Sequence, residues 1–329
     1  MNFRKLGRTG LNVSEIGLGC MGFSHGYGQI PSEEYSIEAI RKALNYGCDF
    51  LDTSEAYGPY MSETGHNEKI VGKAVKGRRE GVALATKLFI GTGEARRSAY
   101  DAIRKHLEAS LKRLQTDYVD LYYLHRINPD VPVERVAEGM GRLIDEGLIR
   151  GWGLSMVTVD FIDRAHKVTP VSAVQNIYSM MERDYEKKVI PYCQENNIGF
   201  VAFSPIASGF LSGKVTADTK FVGDDVRRWV PQLSEKNLAA NQPFVDLVSG
   251  MAKRKGCTNA QISLAWMLHK HSCVVPIPGS KNQERILENL RASEVELTDA
   301  EFRELENGLA DLKVYGRRKD INMGSEYID

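Results

Sequence analysis

The sequence predicts an α/β protein built as a (β/α)8 barrel of the TIM type, and three observations carry that expectation. Eight short β-rich runs recur along the chain, amphipathic helical stretches separate them, and no Pro-, Gly- or Ser-rich linker divides the 329 residues. A single barrel domain spanning 1–329 is therefore expected, because such barrels routinely exceed the usual domain length.

The first segment, NFRKLGRTGLNVS, reads as an N-terminal β-hairpin ahead of the barrel, with Gly7 to Gly10 in its turn. The strand runs then begin near Glu15 (EIGLG), Asp49 (DFLDTS), Val82 (VALATKL) and Tyr118 (YVDLYYLH). Four more begin near Ile149 (IRGWGLS), Val171 (VSAVQN), Ile198 (IGFVAFS) and Ser272 (SCVVPI). Most are continuous apolar runs, the pattern of parallel strands covered by helices. From Ser32 to Tyr46, Ile37, Ile40 and Leu44 recur at helical spacing, and Gly47 stands where a C-cap glycine belongs. From Ser98 to Leu114 the spacing of Ile103, Leu107, Leu111 and Leu114 predicts a second such helix. A long insertion loop, about Pro205 to Asn241, follows the seventh strand; loops of that length are usually functional, for example as lids. From Leu297 onward come an extra C-terminal helix (Thr298 to Leu309) and a polar tail.

Composition narrows the function. Apolar residues make up 42%, enough for a core, and Lys plus Arg (43) equals Asp plus Glu (43), so no net field favours nucleic acid or an anionic membrane. The five cysteines are scattered without a C-x-x-C, which reads as free thiols in a reducing cytosol. MNFRKLGRTG lacks a signal-peptide core and no apolar run approaches a membrane span, so a cytoplasmic protein is expected.

IGLGCMG contains a G-x-G-x-x-G at Gly17, Gly19 and Gly22, the fingerprint of a dinucleotide-binding turn. That turn needs a helix directly after it, and FSHGYGQIP will not start one. The glycines are instead expected to let the backbone pass close beneath a flat ligand at the barrel mouth.

Active sites of such barrels gather at the C-terminal ends of the strands. Those positions here are Asp52 and Tyr57 after the second strand, Lys87 at the end of the third and His125 at the end of the fourth. Singly each has a bland reading: a turn cap, a loop tyrosine, a solvated lysine, a core histidine. Together they form a proton-transfer device. An ammonium against the phenol is expected to lower its pKa from about 10, the aspartate to keep the lysine charged, and the histidine to orient a carbonyl oxygen. No side chain supplies hydride, so a nicotinamide cofactor is implied.

In the stretches RKLGRTGLNVSEIGLGCMG, DTSEAYG, ATK, DLYYLHRINP, GLS, VQNIYS, AFSPIASGFLSGK and PIPGSKNQERILENL the chain resembles the aldo-keto reductase family over nearly its whole length. The resemblance implies a tetrad of Tyr57 as general acid with Lys87, Asp52 and His125. It implies NADPH bound on the barrel itself, with Gly19, Met21 and Asp52 by the nicotinamide ribose. Ser155 and Gln175 would hold the carboxamide, Met156 replaces the usual asparagine, and Phe203 would stack on the ring. Ser204, Pro205, Ile206, Ser208, Gly209 and Leu211, with Lys214, would hold the pyrophosphate. Ser280, Lys281 and Arg285, at a helix start, favour a 2′-phosphate and hence NADPH. Glu288 and Asn289 would reach the adenine, with Ile277, Gly279 and Gln283 completing the site.

The expected function is reduction of a small-molecule aldehyde or ketone, the alternative being a cofactor-bound regulatory or scaffold subunit of the same fold. The pocket walls are expected from 23–29, 57–64, Phe89, Arg126, 227–229 and the tail, with Tyr27, Tyr60 and Trp229 as an aromatic mouth. His269 and His271 read as surface histidines and the KGRRE run as a solvated cluster; no metal is expected.

Overall fold

Strands that are apolar on both faces must find neighbours in a sheet and helices over it. The structure, a computed structural model, describes residues 1–7 and 10–318; the tip of the hairpin turn and the polar tail from 319 lie outside the described residues. All eight expected strand runs form strands: β3 (Leu18–Gly19), β4 (Phe50–Asp52), β5 (Ala83–Leu88), β6 (Val119–Leu124), β7 (Ile149–Ser155), β8 (Ala173–Ile177), β9 (Gly199–Phe203) and β10 (Val274–Pro276). They pair in parallel in chain order. A parallel bridge between Gly19 and Gly279, and an N–H of Gly17 donated to the Pro276 carbonyl at 2.9 Å, close the barrel.

Of the early glycines, Gly19 and Gly22 line the cleft at the barrel mouth, and closure places a further demand on Gly17 and Gly19. A Cβ on Gly17 would lie 2.6 Å from the Phe50 ring, and one on Gly19 would lie 2.9 Å from the Ile277 carbonyl oxygen. The seam of the barrel demands these two glycines. Only a short 3-10 turn, Met21–Phe23, follows them.

The helices between strands are α1 (Glu33–Asn45), α2 (His66–Val75), α3 (Thr92–Ala95), α4 (Ala99–Leu114), α5 (Val133–Asp145), α6 (Val159–Val168) and α7 (Val189–Glu195). After β9 come α8 (Glu235–Lys255) and α9 (Asn259–Lys270), and after β10 come α10 (Gln283–Leu290) and α11 (Asp299–Ala310). Local chemistry sets their ends. Ser32, Ser98 and Thr298 each accept a backbone N–H in the first turn, and Gly47 follows α1 at φ 102°. The insertion is shorter than expected: it is broken by 3-10 turns at Ala207–Ser212, Val226–Trp229 and Pro231–Leu233, and it ends where α8 begins at Glu235. No described helix is long and apolar enough to cross a membrane.

The hairpin, β1 (Phe3–Leu6) and β2 (Leu11–Ser14), plugs the end of the barrel opposite the strand C-termini. Leu6, Leu11 and Val13 join Phe50, Leu121, Tyr123, Val201 and Val275 in the inner core. A Cβ on Gly199 would meet Leu6 at 2.5 Å, so the plug is seated against the first residue of β9. The Arg4 guanidinium fastens it, donating to the carbonyls of Leu268, His271 and Val274, each at 2.6 Å. Arg4→Ala leaves these shielded carbonyls without their charged donor and is expected to cost about 2–4 kcal/mol of unfolding free energy. Denaturant titration, with Arg4→Lys recovering only part of the loss, checks it.

Candidate active site

Parallel strands deliver their last residues to one rim, and this rim holds the four ionisable candidates. Asp52 ends β4, Lys87 lies one residue before the end of β5, and His125 follows β6. Tyr57 reaches them from the loop after β4, whose path is fixed by its neighbours. Asn67 on α2 accepts from the Thr53 hydroxyl (2.6 Å), donates to the Cys20 carbonyl (2.9 Å), and its N–H donates to the Tyr57 carbonyl (3.0 Å). Glu55 accepts the Phe89 N–H at 3.0 Å and faces His106 at 2.8 Å. Gly58 is obligatory, since a Cβ there would lie 1.9 Å from the Glu63 carbonyl oxygen. Asn67 and Glu55 are positioning residues that sequence reasoning missed, because nothing in local pattern separates them from ordinary helix and loop polar residues.

At the centre, the Lys87 ammonium is fully buried. It donates to Asp52 Oδ1 (2.5 Å), to the Thr53 carbonyl (2.8 Å) and to Tyr57 Oη (3.4 Å). The other oxygen of Asp52 accepts from Gln175 Nε2 at 2.7 Å. Burial opposes the charge on Lys87, but the Asp52 carboxylate and the Tyr57 phenol outweigh it, and its pKa is raised. The phenol departs from expectation: burial raises the Tyr57 pKa by more than Lys87 lowers it, and the Asp52 charge adds to the rise. His125 packs edge-on to Tyr57 (centroids 5.7 Å) and tilted on Phe89 (4.5 Å), with Nδ1 at 3.1 Å from Ser54 Oγ. Burial first, then the charges of Lys87 and Arg126, hold its pKa well below the usual histidine range, so the ring is neutral.

From this centre a cleft of about 600 Å³ runs across the barrel mouth to α10. Gly19, Met21, Ser155, Gln175 and Phe203 line it beside Asp52 and Tyr57. Ser204, Pro205, Ile206, Ser208, Gly209 and Lys214 line its middle, and Ile277, Gly279, Ser280, Lys281, Arg285, Glu288 and Asn289 its far end. The middle loop is bent: Ser204, Ala207 and Ser208 have φ of 55°, 46° and 55°, and Gly209 has 90°. Non-glycine residues held there cost energy, and the loop spends its own N–H groups on the bend: Ala207 donates to the Ser204 carbonyl (3.0 Å), Ser208 to Ser204 Oγ (3.1 Å) and Gly209 to the Ile206 carbonyl (2.9 Å). Small-residue walls and the Lys214, Lys281 and Arg285 side chains fit a dinucleotide phosphate chain.

Several expected contacts differ. Leu211 does not line the cleft, because its side chain is fully buried in the core. Gln283 faces α1 instead, accepting from Lys42 and lying against Tyr35. The Lys281 ammonium is taken up by the carbonyls of Tyr27 (2.8 Å) and Gln29 (2.6 Å). Met156, at φ 55°, is buried with its sulfur towards Tyr185. Tyr27 and Trp229 line the cleft, but Tyr60 is 69% exposed and does not. Arg318, which no motif signalled, enters the cleft and donates to Ser204 (3.1 Å) and Ser208. His269 and His271 part company, the first stacking on Phe302 and the second packing towards Tyr178.

Known proteins share this sequence pattern and fold. Residues 15–309 match the model of the aldo/keto reductase family. A glycerol dehydrogenase of Gluconobacter oxydans superposes with a TM-score of 0.82 at 26% identity, covering 94% of this chain and 95% of its own. An aldo/keto reductase of Klebsiella pneumoniae, solved with NADP and acetate, gives 0.72 at 27% identity, covering 93% and 95%. The holo form of an aldo-keto reductase of Bacillus halodurans gives 0.74 at 28%, covering 96% and 99%. The chain belongs to the aldo/keto reductase family.

Two outcomes follow for the centre. Asp52→Asn strands a buried ammonium and is expected to destabilise the protein by about 3–5 kcal/mol, most of it recovered in Asp52→Asn/Lys87→Met, as read by denaturant titration. His125 stays neutral while the unfolded chain's histidine takes up a proton below its usual value of about 6.5. Its contribution to stability is therefore full above that pH and falls as pH drops. Imidazole NMR should show His125 failing to titrate where His106, raised chiefly by its bond to Glu55, is already protonated.

Proposed function

We propose that this aldo/keto reductase catalyses NADPH-dependent reduction of an aldehyde or ketone to the alcohol. The observation that carries the reading is the buried chain Asp52–Lys87–Tyr57 ending on a phenol at the cleft, beside a neutral His125. The neighbours solved with NADP and NADPH support the choice of cofactor. When bound, NADPH supplies the hydride from its nicotinamide C4. Every other part is expected of this chain's own side chains.

A neutral imidazole donates one N–H. The tautomer that carries it on Nε2, with Nδ1 facing the Ser54 hydroxyl at 3.1 Å, is the one that can meet a substrate carbonyl oxygen. Tyr57 then gives its proton to that oxygen as negative charge develops. Its raised pKa suits this role: the phenol keeps its proton at neutral pH until a much stronger base, the nascent alkoxide, appears. The Lys87 ammonium faces the phenolate that remains, and Asp52 keeps that ammonium charged. Phe203 and Gln175 border the space where the nicotinamide ring would lie, and the bent 204–209 loop borders the phosphates.

The test follows reduced-nicotinamide absorbance on adding an aldehyde. Tyr57→Phe keeps the ring and removes the acid, so kcat should fall by about 10²–10⁴-fold with NADPH affinity retained. Activity surviving that change removes the mechanism. Negligible turnover by a wild-type chain that binds NADPH tightly would favour the regulatory-subunit reading.

A further inference from the structure

Three of the cations lining the cleft face carboxylates. Arg227 is held by Asp225 at 2.7 Å, Lys214 lies 3.7 Å from Glu288, and Arg318 lies 3.8 Å from Glu182. Lys281 is bound by two carbonyls, and Arg285 is open to water at the rim. Arg126 is half-buried, has no carboxylate within ion-pair distance among the described residues, and is the cleft cation that stands next to His125.

Its setting is specific. Nη1 donates to the His125 carbonyl (2.6 Å) and to Ser155 Oγ (3.1 Å), which fixes the guanidinium plane. Nε and Nη2 have no partner among the described residues. That free edge is a two-pronged fork of the kind that matches a carboxylate. The guanidinium lies close enough to Tyr57 for the phenol to act on its charge, and it follows His125 directly in the chain. It stands at the reacting end, away from the 204–209 loop and α10, where the cofactor's phosphates are expected. A half-buried guanidinium that lines the cleft with two donor nitrogens unpartnered and no carboxylate beside it is a ready receptor for an anionic group on a ligand.

We propose that Arg126 is a specificity-determining residue that selects carbonyl compounds carrying a carboxylate beside the carbonyl, the 2-oxo acids. The inference rests on the carbonyl-reductase reading above. Hydride goes from the reduced nicotinamide to the carbonyl carbon, the C=O π pair moves to oxygen, and oxygen takes the Tyr57 proton. The products are a 2-hydroxy acid and NADP+. The carboxylate is unchanged throughout and serves as the handle.

Pyruvate and methyl pyruvate, alike in shape and different in charge, form the test pair. The ratio of their kcat/KM values should fall by at least about tenfold in Arg126→Gln, chiefly through KM for pyruvate. Arg126→Lys should give an intermediate ratio, and NADPH affinity, read by quenching of protein fluorescence, should be unchanged. In wild type, added salt should raise KM for pyruvate and leave that for methyl pyruvate alone, a readout that needs no variant. An unchanged ratio in a folded Arg126→Gln, or equal losses on both substrates with weaker NADPH binding, overturns the proposal while leaving the reductase reading intact. A wild type that reduces no carbonyl compound, neutral aldehydes included, brings down that reading and this inference with it.

Discussion

A lysine ammonium with no exposed surface has to be neutralised inside the protein, and the barrel mouth is arranged around that need. Lys87 comes from β5, its counter-ion Asp52 from β4, and the amide holding the second oxygen of Asp52 from Gln175 on β8. The chain Lys87–Asp52–Gln175 therefore ties strands on different sides of the barrel through one carboxylate. Because both acceptor oxygens of Asp52 are used, neither the aspartate nor the lysine has freedom to turn. The direction of the Lys87 side chain, and with it the place where Tyr57 can approach an ammonium, is inherited from barrel closure. That closure depends in turn on two glycines at the seam, where any Cβ would collide with Phe50 or the Ile277 carbonyl.

The same burial acts in opposite directions on the two neutral members of the group. It pushes the Tyr57 phenol up and the His125 imidazole down, so both rest uncharged while Lys87 and Asp52 rest charged. The four groups together carry no net charge. Donors whose directions are already fixed can meet charge that develops during a reaction without first reorganising. The expectation of a lowered phenol pKa weighed the ammonium and omitted the water lost around the ring. At 3.4 Å the ammonium is too distant to compensate for that loss.

The barrel was legible because its strands are short, apolar on both faces and evenly separated by capped amphipathic helices. Ser32, Ser98 and Thr298 begin helices for reasons contained in their own first turns. The meeting of Asp52, Tyr57, Lys87 and His125 was legible because strand ends are named by the strands. What stayed hidden depends on partners distant in sequence. The 205–234 insertion has little periodicity of its own, since its structure is taken from another loop. Tyr27 bridges to Asp225, the Val226 N–H donates to the Gly26 carbonyl, and His25 lies 2.8 Å from Asp224. Leu211 lies in the 3-10 turn after β9 and Gln283 opens α10, both in the expected segments, but the backbone there aims Leu211 into the core and Gln283 at Lys42. A stretch of sequence names the loop; the packing beneath it decides which residues face the cleft.

Charge is distributed along the cleft unevenly, and the unevenness separates two kinds of recognition. At the 204–209 loop the N–H groups of Ala207, Ser208 and Gly209 are used within the loop, and the hydroxyls of Ser204 and Ser208 already meet Arg318, so a phosphate chain would be met there by side-chain charge. Charge of this kind accepts any phosphate chain of the right reach and says little about what else is attached. At the Tyr57 end the donors are side chains with fixed planes, each held by a named partner: His125 by Ser54, Gln175 by Asp52, and the guanidinium of Arg126 by Ser155. Planes fixed in this way discriminate by geometry, since a ligand that misses one of them leaves a shielded polar group unpaired. In this barrel, then, a common cofactor is expected to be held by charge along the cleft, and a particular substrate to be chosen by side chains whose orientation the strand ends have already settled.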